Sequence, residues 1–166
     1  MKRMGFIMIR KNLMVENARI AFRNFSGKAS KYNREGNRNF CVIFDKKTGE
    51  ELKEQGWNVR ILAPRDEYEE PDYCMSVSVA FGKFPPKIYM ITGRHKVLLN
   101  EDTINSLDFA EIINVDLVIR PYNWEVNGKT GVKAYVQTMY VEIQEDKFAA
   151  KYDFDTPPVD DGDMPF

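Results

Sequence analysis

Basic and aromatic side chains occur next to one another in three stretches of the sequence, residues 19–40, 84–96 and 120–135. Cations neutralise phosphates and flat rings stack on unpaired bases, so this combination suits the binding of a single-stranded nucleic acid. The side chains that we predict to contact such a strand are Arg19, Arg23, Phe25, Lys28, Lys31, Tyr32, Arg34, Arg38, Phe40, Lys87, Tyr89, Arg94, Lys96, Arg120, Tyr122, Trp124, Lys129, Lys133 and Tyr135.

The aromatic rings differ in how well their surroundings suit stacking. Most Phe and Tyr side chains of β-rich domains belong to the core, so the position of a ring in the sequence indicates whether it can stack on a base. In residues 19–25 the alternation predicts that Phe22 packs inward and that Phe25 lies on a basic, exposed face. The rings that lie in or beside polar, basic or loop sequence, and that we expect to stack, are Phe25, Tyr32, Tyr122 and Trp124. Those less suited to stacking are Phe22, Phe44 and Phe81.

The charges of the 166-residue chain are separated along its length. The first forty residues carry ten basic side chains against Glu16 and Glu35, a net charge of +8. After Lys151 the chain has five aspartates and no basic residue. Residues 1–151 therefore have a net charge of +4, although the whole chain is at −1. A basic body with an acidic tail is typical of proteins that bind polyanions.

No motif in the sequence favours catalysis. Gly128-Lys129-Thr130 looks like the end of a phosphate-binding P-loop, but Asn123 stands where that motif needs its first glycine. His95, the only histidine, has no neighbouring cysteine or serine motif with which to form a triad, so we interpret it as structural or solvated. We predict that the protein is not an enzyme.

The acidic residues do not favour a metal site either. Those between Glu101 and Asp116 are spaced as on a solvated helix and turn rather than as a two-metal nuclease cluster. Asp153-Phe154-Asp155 begins like a calcium loop, but Thr156-Pro157-Pro158 breaks the alternating ligands. We predict no metal and no cofactor, and a metal-dependent nuclease is the least favoured alternative.

The remaining composition indicates an intracellular protein. Cys41 and Cys74 lie in apolar runs, too far apart for a Cys-x-x-Cys site, which predicts reduced core residues. Arg10 and Lys11 interrupt the apolar start before it could serve as a signal-peptide core. The sequence contains no run of about eighteen apolar residues, which a transmembrane helix would need. We expect the protein in the cytoplasm, which is the bacterial host's cytoplasm if a phage encodes it.

The elements that must carry these side chains are mainly strands. Thr48 followed by Glu51 predicts the start of a short helix that ends near Gly56, and a second short helix is predicted over residues 102–107. Residues 127–131, Asn-Gly-Lys-Thr-Gly, predict the turn of a β-hairpin. Alternating and apolar runs predict strands at residues 19–25, 39–45, 58–63, 76–81, 87–92, 96–99, 112–124 and 132–143.

These elements favour a mainly β fold. Many strands, a long hairpin and a basic, glycine-punctuated loop at residues 26–37 predict an oligonucleotide-binding (OB) barrel-like domain with one or two short helices. Since that barrel has five strands, the extra runs must be additions or split strands. We place the domain at residues 1–146. Residues 147–166, with Pro157, Pro158 and the five aspartates, predict a disordered acidic tail.

The chain ends in Asp160-Asp161-Gly162-Asp163-Met164-Pro165-Phe166. This tip resembles that of bacterial and phage single-stranded DNA-binding proteins, in which acidic residues precede a hydrophobic residue, Pro and Phe. It differs from the bacterial pattern in Gly162 and in Met164, where Ile or Leu is usual. The resemblance is carried by these seven residues alone.

The resemblance implies that the protein binds and protects single-stranded DNA, largely independent of sequence, during DNA replication, recombination or repair. In such families the tip recruits replication and recombination proteins and can compete with DNA for the basic groove. The residues that inherit the recruiting role by resemblance are Asp160, Asp161, Asp163, Pro165 and Phe166. The sequence is compatible with a homo-oligomer. The alternative is a non-enzymatic adaptor or structural phage component whose basic surface contacts a protein partner.

Overall fold

The computed structural model describes residues 8–9, 11–64 and 66–145. The predicted tail and the tip residues that would recruit partners lie outside this part of the chain. Its elements are β1 (Leu13–Val15), β2 (Arg19–Asn24), β3 (Arg38–Phe44), α1 (Lys46–Glu54), β4 (Val59–Leu62), β5 (Asp72–Val79), β6 (Lys87–Thr92), β7 (His95–Leu99), a 3-10 helix (Ile104–Asp108), β8 (Ile112–Val126) and β9 (Lys129–Ile143).

Strands β1 and β2 are two halves of one bent segment that joins the two ends of the sheet. β1 pairs with β8, whereas β2 pairs with β3, and both pairings are antiparallel. The Ala18 amide between the two strands donates to the Val115 carbonyl at 2.7 Å. The path β1-β8-β9-β5-β3-β2 therefore returns to its starting segment, with β5 and β9 parallel. This is a five-stranded, partly open barrel, and the prediction of a mainly β, OB barrel-like domain is confirmed.

The other strands are additions to this barrel, as the sequence required. Helix α1 and β4 are inserted between β3 and β5, and β4 pairs with β5. β6 and β7 form a hairpin between β5 and β8, and β6 runs parallel to β9. All the predicted strands exist, with ends displaced by a few residues, and the run predicted at 76–81 begins earlier, at Asp72. The added strands widen the surface on either side of β5 and β9.

The core is built by alternation along the central strands. Phe40, Val42 and Phe44 of β3 point into the barrel and are each at least nine-tenths buried. They lie opposite buried residues of β5, which alternate from Tyr73 to Val79. Burying such a side chain contributes roughly 1.5 to 3 kcal/mol, so these two strands contribute much of the stability of the fold.

A β-bulge changes the alternation predicted for β2. Between Ala21 and Asn24 this strand has one more residue than β3. Phe22 takes a left-handed φ of +52° there and is 66% exposed. Because the extra residue reverses the faces that follow, Phe25 enters the core and is fully buried. The predicted orientation of these two rings is therefore wrong.

Helix α1 begins one turn earlier than predicted. Its N-cap is Asp45, whose Oδ1 accepts a hydrogen bond from the Thr48 amide at 2.8 Å. The predicted capping box at Thr48 is therefore wrong, since Asp45 is the residue that satisfies the free amides. The predicted end near Gly56 is confirmed. The helix packs tightly on β5, because a Cβ at Gly49 would overlap the ring of Tyr73.

The predicted helix at 102–107 is the short 3-10 helix Ile104–Asp108. Its last residue fixes the beginning of the loop that follows β2. The carboxylate of Asp108 accepts hydrogen bonds from the amides of Phe25 and Ser26, at 2.6 and 3.0 Å. The start of the β2–β3 loop is therefore anchored to the end of the 3-10 helix.

The longest strands, β8 and β9, form the predicted hairpin. Its turn is Asn127-Gly128, with φ of +51° and +77°, and Val126 lies opposite Lys129. Two consecutive left-handed residues make the type of turn that suits the twist of paired strands. The strand-turn-strand context also confirms that Gly128-Lys129-Thr130 is not a P-loop.

Candidate nucleic-acid interface

The outer face of β3 and β5 carries small polar side chains and thiols. Asn39 lies opposite Ser78, and Cys41 lies opposite Ser76. Opposite residues of an antiparallel pair share one face of the sheet, and the alternate residues here fill the core, so these four face outward. A surface of such small side chains allows an extended ligand to approach the backbone closely.

Two adjoining depressions, of about 270 and 520 Å³, cross this face. They share Ser78 and Lys133 in their linings. Together we call them the sheet groove, defined by Asn58, Ser76, Ser78, Trp124, Lys133 and Tyr135. The groove thus runs from the start of β4 across β5 to the β8–β9 hairpin.

The β8–β9 hairpin supplies a wall of rings and cations. Arg120 lies opposite Tyr135, and Tyr122 lies opposite Lys133, so all four side chains share a face with Trp124. The Tyr122 and Tyr135 rings meet edge to face at 6.2 Å. Arg120 and Lys133 each hold their charge 5.2 Å from the centre of the Tyr135 ring. The structure therefore brings together the third predicted stretch except Lys129, which is exposed at the tip.

Trp124 and Tyr122 keep much of their ring surface in solvent. They are 36% and 52% exposed, respectively. Exposed rings beside cations can stack on bases while the charges contact the phosphates. This arrangement is the binding chemistry that the sequence predicted, held on a rigid pair of strands.

The β2–β3 loop, residues 25–37, forms the other wall of the groove. The side-chain amide of Asn33 donates to the carbonyls of Lys28, Arg34 and Asn37 at 2.9 to 3.2 Å, which closes the loop on itself. Gly36 and Asn37 line the groove. The loop side chains predicted to contact nucleic acid are all exposed, and they are Lys28, Lys31, Tyr32 and Arg34.

Two predicted stacking rings are corrected by the structure. Phe25 and Phe40 are both fully buried, and their rings stack on each other at 5.2 Å. A base cannot reach either ring without unfolding of the barrel. Their role is to join the β2–β3 loop to the core, and the prediction that they contact nucleic acid is wrong.

Three predicted arginines are engaged within the protein. Arg23 donates from Nη1 to the carbonyls of Leu107 and Ala110, both at 2.8 Å, and so holds the end of the 3-10 helix. Arg19 pairs with Asp72 at 3.4 Å, outside the sheet groove. Arg23 thus holds the 3-10 helix and Arg19 forms an exposed ion pair, and the prediction that these two arginines contact nucleic acid stays a prediction.

Arg38 borders the groove but is held by its neighbours. Its Nη1 lies 3.7 Å from a carboxylate oxygen of Glu101, and its guanidinium lies 5.7 Å from the centre of the Phe81 ring. Its side chain is only 18% exposed. The ion pair weakens the positive charge that Arg38 presents to a ligand in the groove.

The second predicted stretch lies on the added β6–β7 hairpin. Tyr89 stacks on Tyr140 of β9 at 5.2 Å, and Lys96 holds its ammonium 4.4 Å from the centre of the Tyr89 ring. Lys87 and Arg94 are exposed. The structure brings Tyr89 and Lys96 together, on a sheet surface that continues along β9 from the sheet groove.

The sequence-based prediction missed several residues of this surface. Ser76 and Ser78 alternate with buried valines, which was a signal for an outer polar face, although serine carries no charge to draw attention. Arg60 of β4 lies on the same face, and Tyr140 completes the ring pair on β9. Only the pairing of distant strands places Arg60 and Tyr140 there.

The described residues contain no group of three or more His, Cys, Asp or Glu side chains that could hold a metal ion. Cys41 and Cys74 are free thiols, and both are buried although they lie on the outer face of the sheet beneath Arg60. In the same part of the chain, no helix is long and apolar enough to cross a bilayer.

The sequence matches, over residues 4–164, the family model described as "Putative phage ssDNA-binding domain". The chain belongs to this family. The match spans nearly the whole chain and therefore includes both walls of the sheet groove. It confirms the resemblance to phage single-stranded DNA-binding proteins that the tip indicated. No curated protein matches the sequence.

Solved structures share the fold of this family domain. The single-stranded DNA-binding protein from bacteriophage Enc34 is similar with a TM-score of 0.52 and 14% identity, over 82% of this chain and 83% of that chain. The same protein in complex with ssDNA gives a TM-score of 0.53 and 13% identity, over 88% and 99%. At this identity the likeness establishes the fold, while the site depends on this chain's own residues.

Proposed function

We propose that this phage-family domain binds single-stranded DNA in the sheet groove, largely independent of sequence, and protects it. The observation that carries the proposal is the wall of exposed rings and cations on the β8–β9 hairpin, beside a floor of small polar side chains. Trp124, Tyr122 and Tyr135 stack on bases. Lys133 and Arg120 contact the phosphates.

The β2–β3 loop and the β6–β7 hairpin extend this contact at the two sides of the groove. Lys28, Lys31 and Arg34 offer exposed cations on the loop, beside the exposed ring of Tyr32. An OB barrel uses the face of its second and third strands and the loops that flank them for oligonucleotides. β3, β5, this loop and the β8–β9 hairpin occupy those positions. Lys87, Tyr89, Arg94, Lys96 and Lys129 belong to the outer part of the surface.

The biological role that we propose is in DNA replication, recombination or repair. The acidic tip recruits replication or recombination proteins through Asp160, Asp161, Asp163, Pro165 and Phe166. Its charge supports this division of roles, since an acidic segment is repelled by DNA and stays available to proteins. The domain acts without chemical catalysis.

A titration of fluorescent oligothymidine at about 50 and 200 mM NaCl tests the proposal. We expect tight binding at the lower salt, a marked loss of affinity at the higher salt, and weaker binding to a duplex of the same length. Absence of binding at low salt would contradict the proposal and favour the alternative, a protein-only adaptor. Cleavage of the oligonucleotide with added magnesium would favour a nuclease instead.

A pair of lysine variants locates the site. Lys133→Ala removes a cation from the sheet groove, whereas Lys53→Ala removes one from the exposed last turn of α1. For a single strand, each phosphate contact contributes about 0.7 to the slope of log affinity against log salt. We expect the slope to fall by about that amount for Lys133→Ala only. Equal slopes for the two variants would place the DNA elsewhere.

A further inference from the structure

Arg60 lies flat across the outer face of the sheet, over two thiols. Its Nε donates to the Cys74 sulfur at 3.1 Å and its Nη2 to the Cys41 sulfur at 3.7 Å. Cys74 is its register partner on β5, and Cys41 is on β3. The guanidinium therefore spans three neighbouring strands, which defines its position closely.

The acceptors of Arg60 differ from those of the other sheet arginines. Arg19 and Arg38 each face a carboxylate, whereas the acceptors that the described part of the chain offers Arg60 are the two sulfurs. Burial, the largest effect, raises the pKa of the Cys41 thiol, which therefore stays neutral at neutral pH. A thiol is a weak acceptor and brings no charge, so the positive charge of Arg60 is not neutralised by the groups that hold it.

The place of this guanidinium is at one end of the sheet groove. Ser76, a lining residue, is the register partner of Cys41, and Asn58, two residues before Arg60, lines the same end. Lys133 stands where the two depressions of the groove meet. A strand that crosses the groove from Lys133 over Ser76 thus arrives at Arg60.

Beyond Arg60 the surface becomes acidic. Glu69, Glu70 and Asp72 line a separate depression together with residues of β2 and β3, and Arg19 pairs there with Asp72. A phosphodiester chain is repelled by these carboxylates. Arg60 therefore lies between the cation of Lys133 and this acidic depression.

We propose that Arg60 is a phosphate-binding position for the single strand, held in place by Cys41 and Cys74. The proposal rests on the proposed function, since its ligand is the backbone of the DNA bound in the sheet groove. The two thiols act as positioning residues: they keep the guanidinium flat on the sheet, and its outer N–H groups remain directed to the ligand. Since an arginine fixed in this way loses little side-chain freedom on binding, its phosphate contact is strengthened.

The first measurement is the salt dependence of oligothymidine binding for Arg60→Ala and Arg60→Lys, with Lys53→Ala as the matched loss of one charge. We expect Arg60→Ala to lower the slope by about 0.7, so that its loss of affinity from about 50 to 200 mM NaCl is about 2.6-fold smaller than for the wild type. Arg60→Lys should keep the slope with weaker binding. An unchanged slope for Arg60→Ala, at unchanged thermal stability, would overturn the proposal.

The second measurement is a double-mutant cycle between Arg60→Ala and the pair Cys41→Ala and Cys74→Ala. The cysteine variants should weaken DNA binding when Arg60 is present and have no further effect when it is absent. Cys41→Ser with Cys74→Ser should restore binding, because a hydroxyl also accepts from the guanidinium. Equal effects in both backgrounds would show that the thiols act independently of Arg60.

A third measurement needs no DNA and separates the two proposals. The rate at which a thiol reagent labels the folded, free protein should rise in Arg60→Ala, because the guanidinium covers both sulfurs. An unchanged rate would contradict the thiol contact even if DNA binding were normal. If Arg60→Ala is labelled faster than the wild type but the wild type binds no oligothymidine, the thiol contact is present and the proposed function is refuted. The role of Arg60 in DNA binding is then refuted with it.

Discussion

The indole of Trp124 lies directly against Gly131, its partner across the β8–β9 hairpin. A Cβ at residue 131 would stand 2.5 Å from Cζ2 and 2.7 Å from Cε2 of the ring. The Trp124 ring therefore occupies the space that a side chain at position 131 would fill. The orientation of the most favourable stacking platform in the groove depends on the absence of a side chain across the hairpin.

Gly131→Ala should therefore displace the Trp124 ring and weaken binding of single-stranded DNA. Loss of the ring itself, in Trp124→Ala, should cost roughly 1 to 3 kcal/mol of binding free energy. Gly131→Ala should have a smaller effect of the same sign. Both are measured by titration with oligothymidine, and thermal unfolding serves as the control for folding.

Tryptophan fluorescence gives a second reading of the same prediction. Trp57 is 4% exposed and belongs to the core, so quenching on addition of DNA should come from Trp124. Trp124→Phe should abolish the quenching and retain part of the affinity. Quenching that persists in Trp124→Phe would show that the strand does not lie on this ring.

Glu101→Gln should strengthen DNA binding. The Glu101 carboxylate holds Arg38 at 3.7 Å and lines the groove, so its removal both frees a cation and removes a repulsive charge. We expect higher affinity at low salt and a slope steeper by about 0.7. Glu54→Gln on α1 makes the same change of charge away from the groove and should have little effect. A slope that is equal in the two variants would show that Arg38 does not reach the DNA.

Deletion of residues 160–166 should leave DNA affinity unchanged or higher at low salt, because the acidic segment cannot contribute to phosphate binding. The same deletion should abolish binding to replication or recombination proteins, measured by pull-down with full-length protein as the reference. Replacing Phe166 alone by Ala tests the aromatic end without changing charge. Loss of DNA binding on deletion would refute the proposed division of roles.

Asp45 should make the stability of the domain depend on acid pH. Its hydrogen bond from the Thr48 amide lowers the pKa of the carboxyl below its ordinary value of 3.8. The folded state therefore gains stability above the unfolded-state pKa, and this gain disappears as the pH falls through the lower folded-state pKa. Asp45→Asn keeps a capping side chain that does not titrate.

The melting temperatures of wild type and Asp45→Asn should accordingly converge or cross as the pH is lowered below the ordinary range of an aspartate. Wild type should have the advantage near neutral pH. Equal pH dependence of the two melting temperatures over the whole range would contradict the assignment of Asp45 as the N-cap. Thr48→Ala leaves the amide in place but removes the hydroxyl contact that also lowers the pKa of Asp45, so this variant should weaken the pH dependence without abolishing it.

Local sequence patterns identified the elements because their causes are local. The alternation of Ser76 and Ser78 with valines predicted a strand, and Asn127-Gly128 predicted the hairpin turn. Both depend on backbone preferences and side-chain direction within a few residues. The separation of charge between residues 1–40 and the chain end is likewise a property of composition, and it favoured a polyanion ligand before any fold was known.

Contacts between residues far apart in the sequence determine which cations and rings face the ligand. Arg23 is bound to carbonyls 84 and 87 residues away, and the pairing of Arg38 with Glu101 also joins remote segments. One inserted residue in β2 exchanged the positions of Phe22 and Phe25. A basic or aromatic residue type is therefore compatible with both a structural and a binding role until its neighbours in space are known.

The sequence by itself determined the strand-rich class of the fold, the basic body and the hairpin that carries Trp124 and Tyr135. Only the tertiary structure decided that Phe25 and Phe40 are core, and that Arg60 lies on a pair of thiols beside the groove. The physical reason is that periodicity specifies two faces of a strand, whereas the closure of the barrel specifies which face is covered.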